Sequence, residues 1–164
     1  MAKKINQVYG GDSAGLDKLK KQLGKIEKYA VAVGIHEDAG EHSESNGATV
    51  AEVGMFNEYG TPTSPERSFM RSTLREKLKQ YRIALAKIAK SAIDKPITAK
   101  TNMGKLGQMA ANDIQNKIVS LRTPPNAEST IAKKKTTNPL IDTSQLVNSI
   151  KWKYLNEKAT KADD

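Results

Sequence analysis

Apolar positions along the chain change period several times, and each change predicts an element. Leu16, Leu19, Leu23 and Ile26 recur three and four residues apart with lysines opposite, the spacing of one face of an amphipathic helix. Asp12 or Ser13 stands where the N-cap of that helix belongs. From Tyr29 to Ile35 the period drops to two: Val31, Val33 and Ile35 alternate with Ala30, Ala32 and Gly34. This predicts a strand whose small side lies under a closely packed helix. Residues 36–47 are acidic, contain Gly and Ser and show no period, the composition of a mobile loop. Ala48 to Tyr59 returns to a helical rhythm through Val50, Val53, Met55 and Phe56, and Gly60-Thr61-Pro62 forbids its continuation.

Two long helices are predicted next. Pro65 is placed to open the first, whose stripe of Leu74, Leu78, Tyr81, Leu85, Ile88 and Ala92 advances by fours and threes until Asp94-Lys95-Pro96 ends or kinks it. The second runs from about Thr98 to Leu121, with Met103, Leu106, Ala110, Ile114, Ile118 and Leu121 on one face and Gly104 and Gly107 weakening its start. Consecutive helices of this kind suggest an antiparallel pair. Thr123-Pro124-Pro125-Asn126 breaks the chain, and Ser129 to Lys135 has room for one or two helical turns. After Pro139-Leu140-Ile141, Asp142 or Thr143 can cap a short helix. Ile150, Trp152 and Tyr154 then alternate with Lys151 and Lys153, as in a half-buried strand.

The predicted fold class is therefore α+β: a small, mainly antiparallel β-sheet packed against two long α-helices. Residues 1–164 form a single domain with an ordered core over about 12–156, flexible arms at 1–11 and 157–164, and the mobile loop near 36–47. A two-stranded sheet alone is marginal. The sheet is expected to borrow a hairpin from the 36–47 loop or to complete itself with a neighbouring subunit.

A chain of 164 residues can bury roughly 68 to 70% of its unfolded surface, enough for a core without staples. It has no cysteine, which excludes disulfides and thiolate metal sites. No apolar run approaches the ~20 residues of a membrane span, and the N-terminus lacks a secretion signal, so a soluble protein made in the cytoplasm with no membrane partner is expected. The 27 Lys and Arg against 18 Asp and Glu give a net charge of +9, which favours an acidic partner, either nucleic acid or a protein surface. Aromatics are too few and too scattered for a single-strand stacking platform.

Candidate chemistry is sparse. His36-Glu37-Asp38-Ala39-Gly40-Glu41-His42 is the one place where histidines and carboxylates crowd together, yet its spacing is not that of two histidines four apart on a helix. Gly10-Gly11-Asp12-Ser13-Ala14-Gly15 superficially resembles a nucleophilic Ser loop but reads more simply as a linker and a helix cap. No phosphate-binding Gly-rich loop and no glycosidase-like carboxylate pair is found. Neither an enzyme nor a cofactor is expected, and a metal-dependent hydrolase built on His36 and His42 is the weakest reading. Arg67, Arg71, Arg75, Lys79 and Arg82 recur every three to four residues. They form either a basic ridge for phosphates or an acidic protein, or the solvated outer face of an amphipathic helix.

The most informative stretch is Val53-Gly54-Met55-Phe56-Asn57-Glu58-Tyr59-Gly60-Thr61-Pro62, followed by Ser64-Pro65-Glu66-Arg67-Ser68-Phe69-Met70-Arg71. It resembles the Asn-Glu-(Phe/Tyr)-Gly-Thr and Pro-x-Arg-x-Phe-hydrophobic-Arg signature of bacteriophage tail-completion, neck and virion-morphogenesis proteins. A second piece is Pro124-Pro125-Asn126-Ala127-Glu128-Ser129-Thr130-Ile131-Ala132-Lys133, followed by Pro139-Leu140-Ile141-Asp142-Thr143-Ser144-Gln145-Leu146-Val147-Asn148-Ser149-Ile150. This is similar to the family's Pro-Leu-Ile-Asp-Thr-Gly-x-Leu-x-x-Ser-Ile. Ser144 stands where the family often has Gly, and Ser68 where it often has Pro.

The resemblance spans roughly Tyr29 to Tyr154. It implies a virion protein at the head–tail junction, assembled in the host cytoplasm as a ring of itself, hexameric by that analogy. Its neighbours would be the head-closure or connector protein and the tail terminator or tail tube protein, with DNA passing non-specifically through the lumen. A tail terminator and a basic DNA-binding module are the alternatives. Contacts between subunits and layers are expected from Asn57, Glu58, Tyr59, Gly60, Thr61, Pro65, Arg67, Phe69 and Arg71, from the 36–47 loop and from the arms. Pro139, Leu140, Asp142 and Thr143 mark the second motif. Read locally, both motifs also specify rigid turns and helix caps. Alanine at Arg67 and Phe69 together is expected to block assembly while the domain still folds.

Overall fold

The computed structural model describes residues 13–26, 29–43, 47–134, 137–141 and 144–155. Its elements in order are α1 (Ser13–Ile26), β1 (Val31–Ile35), a 3-10 turn (Glu37–Ala39), α2 (Val50–Tyr59), α3 (Met70–Asp94), α4 (Pro96–Ser120), α5 (Glu128–Lys134), α6 (Gln145–Ser149) and β2 (Ile150–Tyr154). The protein is α+β, with one two-stranded antiparallel sheet and two long helices. None of its described helices is long and apolar enough to cross a membrane.

α4 is the central element. α3 packs along it, both strands lie on it, and α1 touches α3 and α4. Lys95 breaks the helical path between α3 and α4 at φ −137° and ψ 85°, and Pro96 starts α4, where its missing N–H costs nothing. In the sheet Val31 faces Tyr154, Val33 faces Trp152 and Ile35 faces Ile150.

Among the described residues two clusters form the core. Val50, Phe69, Ala111, Ile114, Ile118, Leu140, Leu146 and Ile150 make one; Tyr29, Ile88, Ala92, Ala99 and Met103 make the other. The stripe predicted for α3 is only half used, because Tyr81, Ile88 and Ala92 are buried while Leu74, Leu78 and Leu85 are exposed.

Three expectations are corrected. The close approach between strand and helix does not use the small side of β1. Instead Trp152 and Tyr154 lie directly on the backbone of α4: a Cβ at Gly107 would sit 3.0 Å from the Trp152 ring, and one at Gly104 would sit 2.8 Å from the Tyr154 hydroxyl. The glycines are needed where the aromatic pair crosses the helix. Secondly, the 36–47 segment adds no hairpin to the sheet; its described residues form the 3-10 turn and an isolated bridge between Glu41 and Thr49.

The described part of that segment is also tied to α2 and α6 by hydrogen bonds. Gln145 accepts from the Ser43 amide at 3.0 Å and donates to the Glu41 carbonyl at 2.8 Å, and Val50 N–H donates to the Gly40 carbonyl at 3.0 Å. Finally, Pro65 does not open α3, which begins only at Met70. The cause of that late start is the carboxylate of Glu58.

Candidate functional site

The site is the corner between α2 and α3, and it is built from the start of α2. Thr49 and Glu52 form a reciprocal capping box: Thr49 Oγ1 accepts from the Glu52 amide at 3.2 Å, and Glu52 accepts from the Thr49 amide at 2.7 Å. The helix so fixed carries Glu58 inward on its last turn, where it is buried.

There Glu58 caps the next helix. Its Oε2 accepts the N–H groups of Phe69 at 2.7 Å and Met70 at 2.8 Å; its Oε1 accepts from the Arg71 amide at 2.9 Å and the Ser68 hydroxyl at 2.8 Å. The first N–H groups of a helix lack intrahelical partners and carry the positive end of its dipole, so a carboxylate there is doubly favoured. Phe69, at the N-cap position, supplies no side-chain cap of its own. Burial acts to raise the Glu58 pKa, but the donors from Met70, Arg71, Ser68 and Phe69 outweigh it and hold the carboxyl below its ordinary value.

Arg71 closes the corner from outside. Its Nε donates to Glu58 Oε1 at 3.0 Å, and its Nη2 donates to the Glu58 carbonyl at 2.7 Å and to Glu66 Oε1 at 2.8 Å. Its guanidinium lies 4.3 Å from the centre of the Tyr59 ring, a cation–π contact. Between the helices the chain turns at Gly60, whose φ of 76° and whose closeness to the Glu66 amide, 2.9 Å from a would-be Cβ, admit only glycine. Thr61 and Ser64 then exchange backbone hydrogen bonds across the tight turn at Pro62.

Arg67 reaches the other way. Its own amide donates to the Asn57 carbonyl at 2.7 Å, while Nε and Nη2 donate to the carbonyls of Pro124 and Pro125 at 2.8 and 2.9 Å. A fork of two parallel donors is what arginine offers and lysine lacks. Phe69 is fully buried in the first core cluster beside Leu140, so the two separated sequence motifs meet in one packed volume. Asn138 fastens the second motif to the end of α4: its amide donates to the Ile118 and Val119 carbonyls, and its oxygen accepts from Leu140 and Ile141.

The structure thus brings together Asn57, Glu58, Tyr59, Gly60, Thr61, Arg67, Phe69 and Arg71, with Pro65 exposed on the linker between them. Pro139 and Leu140 are buried, while Asp142 and Thr143 lie outside the described residues. Glu58, Arg67 and Phe69 are occupied by contacts within the chain, so alanine at Arg67 and Phe69 removes core packing and loop hydrogen bonds as well as any surface they offer. Tyr59, Pro65 and the turn residues Pro62, Thr63 and Ser64 are exposed, and so are the apolar Met55 and Phe56 one turn earlier on α2.

The supposed ridge of five cations is likewise shortened. Arg67 and Arg71 are engaged, leaving Arg75, Lys79 and Arg82 exposed and without an ion-pair partner among the described residues. His36 keeps a buried Nε2 with no hydrogen-bond partner, and no three His, Asp or Glu side chains converge among the described residues.

Sequence reasoning missed the capping role of Glu58, because its targets lie eleven to thirteen residues away. It also missed Asn138, for which the Asn-Pro turn signal was present. Around Glu58 the polar groups are consumed by hydrogen bonds that fix α2, α3 and the Pro124-Pro125 loop against one another, while Asn126 in that loop keeps a buried Nδ2 without a partner among the described residues. Neither a family model, nor a curated protein, nor a solved structure matches this chain.

Proposed function

We propose that the chain is a structural, non-enzymatic protein of a long-tailed bacteriophage virion, the subunit of a ring in the neck that joins the head connector to the tail. One observation carries this reading. The residues that resemble the family's signature form one saturated corner around Glu58, in which charge is spent on holding two helices and a loop rigid. A joint that transmits load needs that rigidity, and an active site needs polar groups left free for a substrate.

In this reading the ring is made of copies of this chain, hexameric by analogy, through a head-to-tail contact whose rotation closes. It sits between the connector or head-closure protein and the tail terminator or tube protein, with DNA passing through the lumen. Four exposed residues of the corner, Met55, Phe56, Tyr59 and Pro65, are its contact elements. Reconstruction of virions that contain the chain tests the proposal. A closed ring at the head–tail junction supports it, a ring at the tail end of the neck assigns the terminator position, and absence from the virion overturns it.

A nucleic-acid-binding reading is favoured by Arg75, Lys79 and Arg82 and by the +9 charge. It requires affinity for duplex DNA that falls steeply with salt, in proportion to the phosphates neutralised. A joint gives only weak binding in the same titration.

A further inference from the structure

The sheet is narrower than the helix layer beneath it. Two packed helices about 8–10 Å apart, each about 10 Å across, offer a surface roughly 20 Å wide. Two strands about 4.8 Å apart cover about half of it. Both strands lie on α4, and although α1 also touches α3, the described residues leave part of the apolar stripe of α3 uncovered. Leu74, Leu78 and Leu85 are 55%, 40% and 43% exposed, although they continue the stripe that buries Tyr81 and Ile88.

The result is an open apolar trough of about 610 Å³, with Val31 and Val33 on one wall, Leu74, Leu78 and Leu85 on the other, and Leu106 on the floor. Met70 and Arg71 line both this trough and a second of about 230 Å³ beside Ile35, so together they follow the whole length of β1.

The β1 wall is also a hydrogen-bonding edge that no described strand uses. Leu155 N–H donates to the Ala30 carbonyl at 2.8 Å, and with the observed register this points the backbone groups of Ala30, Ala32 and Gly34 towards β2. The N–H and C=O groups of Val31, Val33 and Ile35 therefore point away from β2, along the trough. Arg82 lines the opposite wall, and Lys79 and Arg75 lie one and two turns before it on α3; all three are exposed and without an ion-pair partner among the described residues. Apolar walls, a free strand edge and a cationic rim together define one kind of occupant. A second copy brings mainly like charge, since the chain carries +9.

We propose that this trough docks an extended acidic segment of a different protein, which adds as a third strand on β1. Its alternate apolar side chains cover Leu74, Leu78 and Leu85, and its carboxylates face Arg75 and Arg82. The inference deepens the reading of the chain as a joint and rests on it for the partner being another virion protein.

The test uses the full isotope-labelled chain and two synthetic peptides, Glu-Val-Glu-Ile-Glu-Val-Glu and its lysine counterpart Lys-Val-Lys-Ile-Lys-Val-Lys. The acidic peptide is expected to protect the Val31, Val33 and Ile35 amides from exchange and to bind more weakly as salt rises. Leu78→Asp, at a position exposed enough to keep the fold by circular dichroism, is expected to weaken it about tenfold or more, because it puts a carboxylate against apolar side chains.

Failure of the acidic peptide to bind, or equal binding of the lysine peptide, overturns the proposal. So does self-association of the free chain that Leu78→Asp abolishes, which gives the trough to a second copy, or protection of the same amides by duplex DNA. Peptide binding by a chain absent from virions defeats the joint and leaves the trough. A ring at the neck with no peptide binding does the reverse.

Discussion

Glu58 and Phe69 join two helices through a single short contact, the Glu58 Oε2 accepting the Phe69 amide at 2.7 Å, and the same carboxylate also takes the next two amides of α3. Glu58→Gln replaces an acceptor-only group with one whose NH₂ faces donors. It is expected to cost about 2–4 kcal/mol of stability, the range for hydrogen bonds to a buried charge and a donor left unpaired. Urea unfolding of both proteins near neutral pH measures this, and a loss under about 0.5 kcal/mol, the scatter of ordinary surface changes, contradicts the capping role.

The same carboxylate sets a pH dependence. Its pKa is depressed in the folded state, so its stabilisation is full above the ordinary glutamate value of about 4.3 and is lost as pH falls through the lower folded value. The stability gap between wild type and Glu58→Gln is therefore expected to be constant from about pH 7 to pH 5 and to narrow below about pH 4. Repeating the urea titrations across that range checks it; a gap that widens on acidification has the wrong sign.

How much of this was legible depended on the distance over which each signal acts. The period-two run at Val31 to Ile35 and its partner at Ile150 to Tyr154 are local, and both appear as the paired strands. Pro65 gave a local start signal for α3 that lost to a carboxylate on another helix, since a side chain from outside the window can cap any helix whose first amides it reaches. Leu74, Leu78 and Leu85 belong to the periodic stripe, but periodicity reports a face suited to burial and not what covers it. Arg67 looked like one cation of a ridge because its acceptors, the Pro124 and Pro125 carbonyls, stand nearly sixty residues away.

Arg67→Lys isolates that last contact. A single ammonium cannot reproduce the two parallel donors that meet the Pro124 and Pro125 carbonyls, so a cost of about 1–3 kcal/mol is expected at constant charge. The loss should be local, with amide exchange faster at Asn126 and Ala127 while the Phe69 amide, held by Glu58, changes less. Uniform acceleration across the domain points instead to general loosening of the core.

Ser144 adopts φ 62° and ψ 6°, a left-handed conformation disfavoured for any side chain, immediately before α6. Glycine, which the resembling pattern often has at this position, removes that strain. Ser144→Gly is expected to stabilise the protein by about 0.5–1 kcal/mol, less than the full strain because glycine also frees the unfolded chain. A rise in the thermal midpoint checks it, and a fall means that the hydroxyl is worth more than the backbone strain.

Glycine to alanine exchanges in the helices separate propensity from packing. Each gains about 1 kcal/mol of helix propensity if space allows. Gly24 in α1 has nothing within 4 Å of a new Cβ, so Gly24→Ala should be stabilising by about that amount. At Gly107 the Cβ would lie 3.0 Å from the Trp152 ring, which is held by a 3.0 Å bond from its indole N–H to Gln108 and by edge-on packing against Tyr154. The ring cannot retreat without losing those contacts, and overpacking of this kind costs about 1–3 kcal/mol, more than propensity returns. Gly107→Ala is therefore expected to lower the thermal midpoint and shift the fluorescence of Trp152, the chain's one tryptophan, while Gly24→Ala raises the midpoint and leaves the spectrum unchanged. If both variants are stabilised alike, Trp152 does not rest on the α4 backbone.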